Sequence, residues 1–303
     1  MIYTLTLNPS VDYIVELNEV QLGGLNRMNR DTKFPGGKGI NVSRVLKQFE
    51  VESTATGYLG GFTGRYIEEY LQLEQIKTDF IHVEEDTRIN IKLKAQVETE
   101  INASGPQITD ESFQNLLKKI HAFTKDDLLV LAGSIPRTMP NATYEEIVKV
   151  CQKNGTAFVV DAEGELLQNV LPYQPLLIKP NHHELGELFD TTISTVEEAI
   201  PYGKQLLEMG AENIIVSLAE KGAIFMNKEL TFIANVPKGD VKSSVGAGDS
   251  MVAGFVAKLQ KTGDVEAAFR YSVAAGSATA FSLGLCTKEK VTKLVQQIVI
   301  RKI

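Results

Sequence analysis

Two cysteines in 303 residues are too few for a disulfide framework. Cys151 and Cys286 stand alone without a C-x-x-C pattern, which leaves no zinc site in view, and they read as core thiols. The four histidines, His82, His121, His182 and His183, show no ligand spacing. Long apolar runs are missing too. Nowhere do about 18 consecutive apolar residues occur, and the opening MIYTLTLNPS carries no charged leader, extended apolar stretch or cleavage site. A cytoplasmic chain with no membrane partner is expected. Positive charge is in deficit, 31 Lys and Arg against 38 Asp and Glu, and the net charge of −7 argues against a nucleic-acid partner. Internal repeats and low-complexity segments are absent. What is present is a hydrophobic fraction of 43%, enough for one large α/β domain or two ordinary ones.

Short apolar runs recur along the chain: IYTLTL (2–7), LLVLAG (128–133), FVVDA (158–162), LLIKP (176–180) and NIIVSL (213–218). They have the character of buried parallel strands. Helical spacing separates them, with Phe113, Leu116, Leu117, Ile120 and Phe123 on one face before the second run, and ATYEEIVKVCQKNG after it. This βαβ alternation predicts a doubly wound, mostly parallel sheet flanked by helices, with ligands at the carboxyl ends of the strands. RINIKLKAQV departs from the pattern, because Ile89, Ile91, Leu93, Ala95 and Val97 alternate with polar residues as in a half-buried antiparallel strand. With YIVEL (13–17) and MNRDTKF (28–34) it forms either a small projecting sheet that serves as a lid or an edge hairpin with no part in binding.

Four constellations carry possible chemistry. In FPGGKGINVSRVLKQF (34–49), Gly36, Gly37 and Gly39 surround Lys38 just before a helical stripe. Neither the Walker spacing nor G-x-G-x-x-G is present, yet the glycines let a ligand approach the backbone, with Asn41 in reach of its hydroxyls. Between Asn26 and Gly39, Arg27, Arg30, Lys33 and Lys38 face one acid, Asp31. That local reversal of charge fits either a phosphorylated small molecule or a solvated turn. Asn8, Pro9 and Asp12 follow the first strand, where a carboxylate either accepts sugar hydroxyls or simply makes a turn. In KPNHHEL (179–185), Asn181 and Glu184 have the spacing of a capping box, and equally of oxygen groups around hydrated Mg²⁺. Finally, KSSVGAGDSMVAGF (242–255) sets Gly246 and Gly248 at a helix start, a seat for phosphate, directly before Asp249, which would repel phosphate. Phosphoryl transfer to an alcohol needs both devices: N–H groups for the charge on the phosphoryl oxygens and a carboxylate for the hydroxyl proton.

PGGKGINVSRVL and SSVGAGDSMVAGF resemble the two signatures of the ribokinase-like (PfkB) carbohydrate kinases, in the family's order, with KPNHHEL and VSLAEKG between them, over nearly the whole chain. The resemblance implies one ribokinase-like α/β domain over 1–303, with a small β-sheet lid from segments near 11–17, 27–34 and 88–103. It implies Asp249 as proton acceptor and Gly246, Ala247 and Gly248 as the anion hole. Asp12, Gly37, Lys38 and Asn41 match sugar-contacting positions, and Arg88 and Arg27 become candidates for the substrate's phosphate. Ser217, Leu218, Ala219, Glu220, Lys221, Gly222 and Gly248 fall on the nucleotide side. Asn181 and Glu184 match a motif associated with Mg²⁺, so ATP and Mg²⁺ are the expected cofactors.

TLNPSVD, LNRMNRD and TRINIKL most resemble the branch that phosphorylates fructose 1-phosphate at C6, with tagatose 6-phosphate as the alternative substrate. A non-catalytic sugar-phosphate-binding regulator is the rival from another class, and it would have lost the base or the glycines. Many members carry Asp-Thr where Ser243 and Ser244 stand here, so potassium activation is not implied. The apolar row Ile89, Ile91 and Leu93 needs a cover, and a homodimer through the lids is expected.

Overall fold

The computed structural model describes residues 1–303. Ten strands make one sheet, in the order Ile300–Lys302, Thr231–Ala234, Ala223–Asn227, Asn213–Ser217, Leu177–Ile178, Ala157–Asp161, Leu128–Ala132, Ile2–Thr6, Ser53–Gly60 and Lys77–Val83. From Asn213–Ser217 to Lys77–Val83 all neighbours are parallel, while the first three strands pair antiparallel. All five expected strands are present. Ser53–Gly60 was not foreseen, because STATGYLG has no Val, Ile or Leu run and is buried through small residues instead.

Helices cover both faces, which gives two large cores, one of 35 buried residues and one of 30, with a third cluster of 8 around Ile40, Leu59 and Ile67. The expected helices lie at Asp110–His121, capped by Thr109, and at Thr143–Asn154, ended by Gly155 in the left-handed conformation. The chain first builds outward from Ile2–Thr6 on one side and then on the other, so the sheet reverses direction between Ile2–Thr6 and Leu128–Ala132. Strand ends diverge at such a point and leave a crevice. Thr6, Ala132, Asp161 and Ser217, each at the carboxyl end of its strand, line one cleft of about 1200 Å³.

A second sheet has the order Arg30–Gly36, Ser10–Glu16, Arg88–Lys94 and Thr99–Ile101. The antiparallel expectation for RINIKLK holds on one side only: Arg88–Lys94 is antiparallel to Thr99–Ile101, but it runs parallel to Ser10–Glu16, with Asp12 opposite Asn90. The cause of the parallel pairing lies in the main sheet. Both strands leave its carboxyl edge through short links, residues 7–9 and 84–87, and so depart in the same direction. The alternation is also inverted relative to a strand with an apolar core face: Asn90 and Lys92 are buried, whereas Ile89 is exposed and Ile91 and Leu93 only half-buried.

Candidate active site

The two glycine-rich stretches converge on the cleft, each as the start of a helix. Lys38–Gln48 begins after Gly37, and Ala247–Thr262 begins after Gly246, whose φ of 76° is left-handed. A Cβ on Gly246 would also stand 2.7 Å from the Leu285 side chain, so backbone and packing both require glycine. The loop is locked from below: Ser250 Oγ donates to the Gly246 carbonyl at 2.8 Å and lies 2.7 Å from Thr279 Oγ1. The Ala247 N–H turns back onto the Ser244 carbonyl at 3.2 Å. The N–H groups of Gly248 and Asp249, by the geometry of a helix start, have no carbonyl behind them and face the cleft.

Around this helix mouth lies a charge cluster. Asp161 Oδ1 is 3.5 Å from Lys38 Nζ and 3.6 Å from Lys179 Nζ, while its buried Oδ2 has no partner. Lys179 reaches the mouth itself, since its Nζ lies 3.0 Å from where a Cβ on Gly248 would be. Burial pushes the Asp249 carboxyl up to about 6 and Asp161 adds to this, against the Asn41 amide, Lys38 and Lys179. Burial alone would weaken the charge on Lys38, but Asp161, Asp249, Glu184 and Glu163 outweigh it and hold the ammonium above the usual lysine range. Burial would likewise raise Asp161, yet Lys179 and Lys38 keep it below the usual carboxylate range. Lys38 and Lys179 thus stand beside two carboxylates, Asp161 held ionised and Asp249 poised near neutrality, at a mouth of free N–H groups.

On the other side, Asp12 accepts from Ser10 Oγ at 2.7 Å and Asn90 Nδ2 at 3.4 Å, with Lys92 Nζ 3.7 Å away. Arg88 lines the cleft but is engaged with backbone: it donates to the Asn8 carbonyl at 2.9 Å and the Ala103 carbonyl at 3.0 Å. A third arm is apolar, where the loop 236–241 with Val236, Pro237 and Val241 faces Val273, Ala280 and Phe281, a slot suited to a flat base.

The structure brings Asp12, Gly37, Lys38, Asn41, Arg88, Asn181, Glu184, Ser217, Ala219, Glu220, Gly222, Gly246, Ala247, Gly248 and Asp249 to this one cleft. Three residues stand outside it. Leu218 is buried with its N–H on the Gly222 carbonyl, and Lys221 donates to the Ser194 carbonyl. Arg27 lies in a separate shallow hollow with Asn18, Glu19 and Gln96. Asn181 and Glu184 make the capping box in full: Asn181 Oδ1 accepts from the His183 and Glu184 N–H groups, and Glu184 Oε2 accepts from the Asn181 N–H. The Asn181 oxygen is thereby occupied, while the capping box uses only one of the two Glu184 oxygens. Sequence reasoning passed over Asp161, Lys179, Asn90 and Ser134, all in the cleft. Asp161 carried a signal, a carboxylate ending the strand FVVDA, and Lys179 stands directly before the Pro-Asn of the capped helix.

Residues 5–291 match the family model described as pfkB family carbohydrate kinase. The chain belongs to that family. It is 52% identical to a 1-phosphofructokinase from Bacillus subtilis over 303 residues, all of both chains. A D-tagatose-1-phosphate kinase from Bacillus licheniformis is 39% identical over 299 residues, 98% of each chain. Among solved structures, phosphofructokinase-2 from Escherichia coli in complex with potassium superposes with a TM-score of 0.92 at 28% identity, covering 98% of each chain. The fold is ribokinase-like. As a pfkB carbohydrate kinase the protein is a phosphotransferase with an alcohol group as acceptor, and the family implies ATP as donor. No helix is long and apolar enough to cross a membrane.

Proposed function

We propose that the protein transfers the γ-phosphoryl group of ATP to the C6 hydroxyl of D-fructose 1-phosphate, giving D-fructose 1,6-bisphosphate and ADP. The observation that carries the reaction is the opening of Asp249, the N–H groups of its helix start, Lys38 and Asp12 onto one cleft. Full-length identity of 52% to a 1-phosphofructokinase, against 39% to a tagatose-1-phosphate kinase, supports the sugar. In the transfer the C6 oxygen forms a bond to Pγ, the bond from Pγ to the ADP oxygen breaks, and the proton of the C6 hydroxyl passes to Asp249. The helix-start N–H groups, with Lys38 and Lys179, stabilise charge on the phosphoryl oxygens. Asp12, held by Ser10 and Asn90, accepts sugar hydroxyls, and Lys38 and Arg88 set the local charge for the substrate's phosphate. The apolar slot beside Phe281 takes the base, next to Ser217, Ala219, Glu220 and Gly222.

Mg²⁺ fits this donor set. No cluster of three or more His, Cys, Asp or Glu forms a cage, and Glu184 keeps one oxygen free for an ion that retains water and is carried by phosphates. Its chemistry there is neutralisation of charge on the transferred group. Arg27 does not line the main cleft, and Leu22, Leu25 and Met28 beside it are exposed like Ile89, Val97 and Ile101. An apolar outer face on the small sheet supports a lid that pairs with a second copy, and two free buried thiols and the use of ATP support a cytoplasmic setting.

The test of the substrate is ADP release with ATP and each candidate in turn. Fructose 1-phosphate should give the highest kcat/KM. A higher value for tagatose 6-phosphate, tagatose 1-phosphate or an unphosphorylated sugar overturns the assignment. Sedimentation at micromolar concentration should show a dimer, and a monomer would count against pairing through the lids.

A further inference from the structure

Asn41 stands at a position expected to contact the sugar, yet in the structure its side chain points to the base: Nδ2 donates to Asp249 Oδ2 at 2.8 Å, joining residues 208 positions apart. The bond exists because helix Lys38–Gln48 packs against helix Ala247–Thr262. That first helix is pinned at the same end. Thr6 Oγ1 accepts from the Ile40 N–H at 3.0 Å, and two residues beyond Asn41 the buried Ser43 hydroxyl lies 2.7 Å from Thr4 Oγ1 and 2.9 Å from Ser53 Oγ. The amide is therefore delivered by a fixed piece of backbone. An N–H aimed at one carboxylate oxygen favours the ionised form and leaves the other oxygen to take a proton. Asp249 Oδ1 is that other oxygen.

We propose that Asn41 is a positioning residue for the general base, its amide holding Asp249 so that Oδ1 faces the hydroxyl to be phosphorylated. This rests on the assignment of Asp249 as the base. Asp161, Lys38 and Lys179 also face the Asp249 carboxylate, with Glu184 acting on Lys38, and none of them changes when Asn41 is replaced. A shift on replacing Asn41 therefore reports the amide.

Three single variants and one double variant test the proposal. In Asn41→Ala, kcat at saturating sugar should fall by about tenfold or more, and the acid limb of the kcat profile should move up by about one pH unit. Asn41→Asp, nearly isosteric, should move it further, because two carboxyl groups then compete for one charge. If Asn41 serves only as a sugar contact, KM rises while kcat and the acid limb stay put, and the proposal fails. Melting of wild type, Asn41→Ala, Asp249→Asn and the double variant at pH 8 gives a cycle that needs no activity. The two changes in stability, a loss for Asn41→Ala and a gain for Asp249→Asn, should be non-additive, and additivity overturns the proposal even for an inactive Asn41→Ala. Asp249→Asn separates the levels: wild-type kcat there removes the base assignment itself, whereas a dead Asp249→Asn with an unmoved acid limb in Asn41→Ala removes only the positioning role.

Discussion

Of the helices that begin at the cleft, two begin in opposite ways. The helix His182–Leu188 is closed on itself, its first N–H groups taken by Asn181 and its capping-box carboxylate folded back onto the backbone. The helix Ala247–Thr262 has glycine where the cap would be and no side-chain cap at all, although Asp249 sits in its first turn, a place where a carboxylate is at home. Instead of closing onto its own backbone, Asp249 is held by Asn41 of another helix. The difference shows what a site asks of a helix start: donors kept unfilled by a conformation that only glycine adopts easily, and a carboxylate restrained from outside. A capped start spends its first donors on its own side chains. An open start leaves them for a ligand.

The contrast breaks most sharply at Asp249. Replacing it with Asn keeps size and position, so kcat should fall by about 10² to 10⁴, the usual range for loss of a general base. Near-wild-type kcat would reduce this start to a second, unusual cap. Stability should move the other way. The folded value of about 6 lies above the ordinary 3.8, so the folded protein binds the proton more tightly than the unfolded chain. Stability from the protonated group is present below about pH 4 and lost as pH rises through about 6. Asn avoids that loss, so Asp249→Asn should melt higher than wild type at pH 8, with the gap closing below pH 5. A gap independent of pH would contradict a buried, ionised carboxylate.

A second, intermediate effect comes from pH alone. Wild-type kcat should decline on the acid side of about pH 6 as Asp249 takes up its proton. A flat profile down to pH 5 would place the essential carboxylate elsewhere. The smallest effect belongs to the closed start. Asn181→Ala removes a cap worth about 1 kcal/mol, which in a chain of this size lowers the melting temperature by roughly 2 °C, while kcat stays within about tenfold. A loss as deep as that of Asp249→Asn would mean that the two starts are equivalent.

What could be read in advance follows from the range of the forces involved. The open start was legible because its requirements are local: Gly246, Gly248 and Asp249 lie within four residues. Strands with Val, Ile and Leu runs were legible for the same reason, and STATGYLG was not, because its burial is imposed by neighbours on both sides. The parallel pairing of Ser10–Glu16 with Arg88–Lys94 is set by where the main sheet releases each strand, which no local pattern records. Asp161 bridging Lys38 and Lys179, and Asn41 meeting Asp249, join distant segments whose residues each look ordinary alone. The apolar slot at Phe281 resembles core in sequence. Arg27, expected near substrate, stands apart because the loop carrying it runs to the far end of the small sheet.

The bond between Asn41 and Asp249 also sets an order in time. A chain made from its amino end places Asn41 and the whole small sheet early, but Val42, Val45 and Leu46 on the same helix share a core with Met251–Ala257 and Ala268–Ala278. Until that last third has emerged from the ribosome, the first helix rests only on the early strands that pin it, and its side toward Met251–Ala257 is left uncovered. Domains generally fold as units during synthesis, and this core draws on residues from Ile2 to Ile298. A copy that ends before residue 249 has Lys38 and Asn41 but neither the Asp249 carboxylate nor the N–H groups of its helix start, so the two sides of the cleft meet only toward the end of translation.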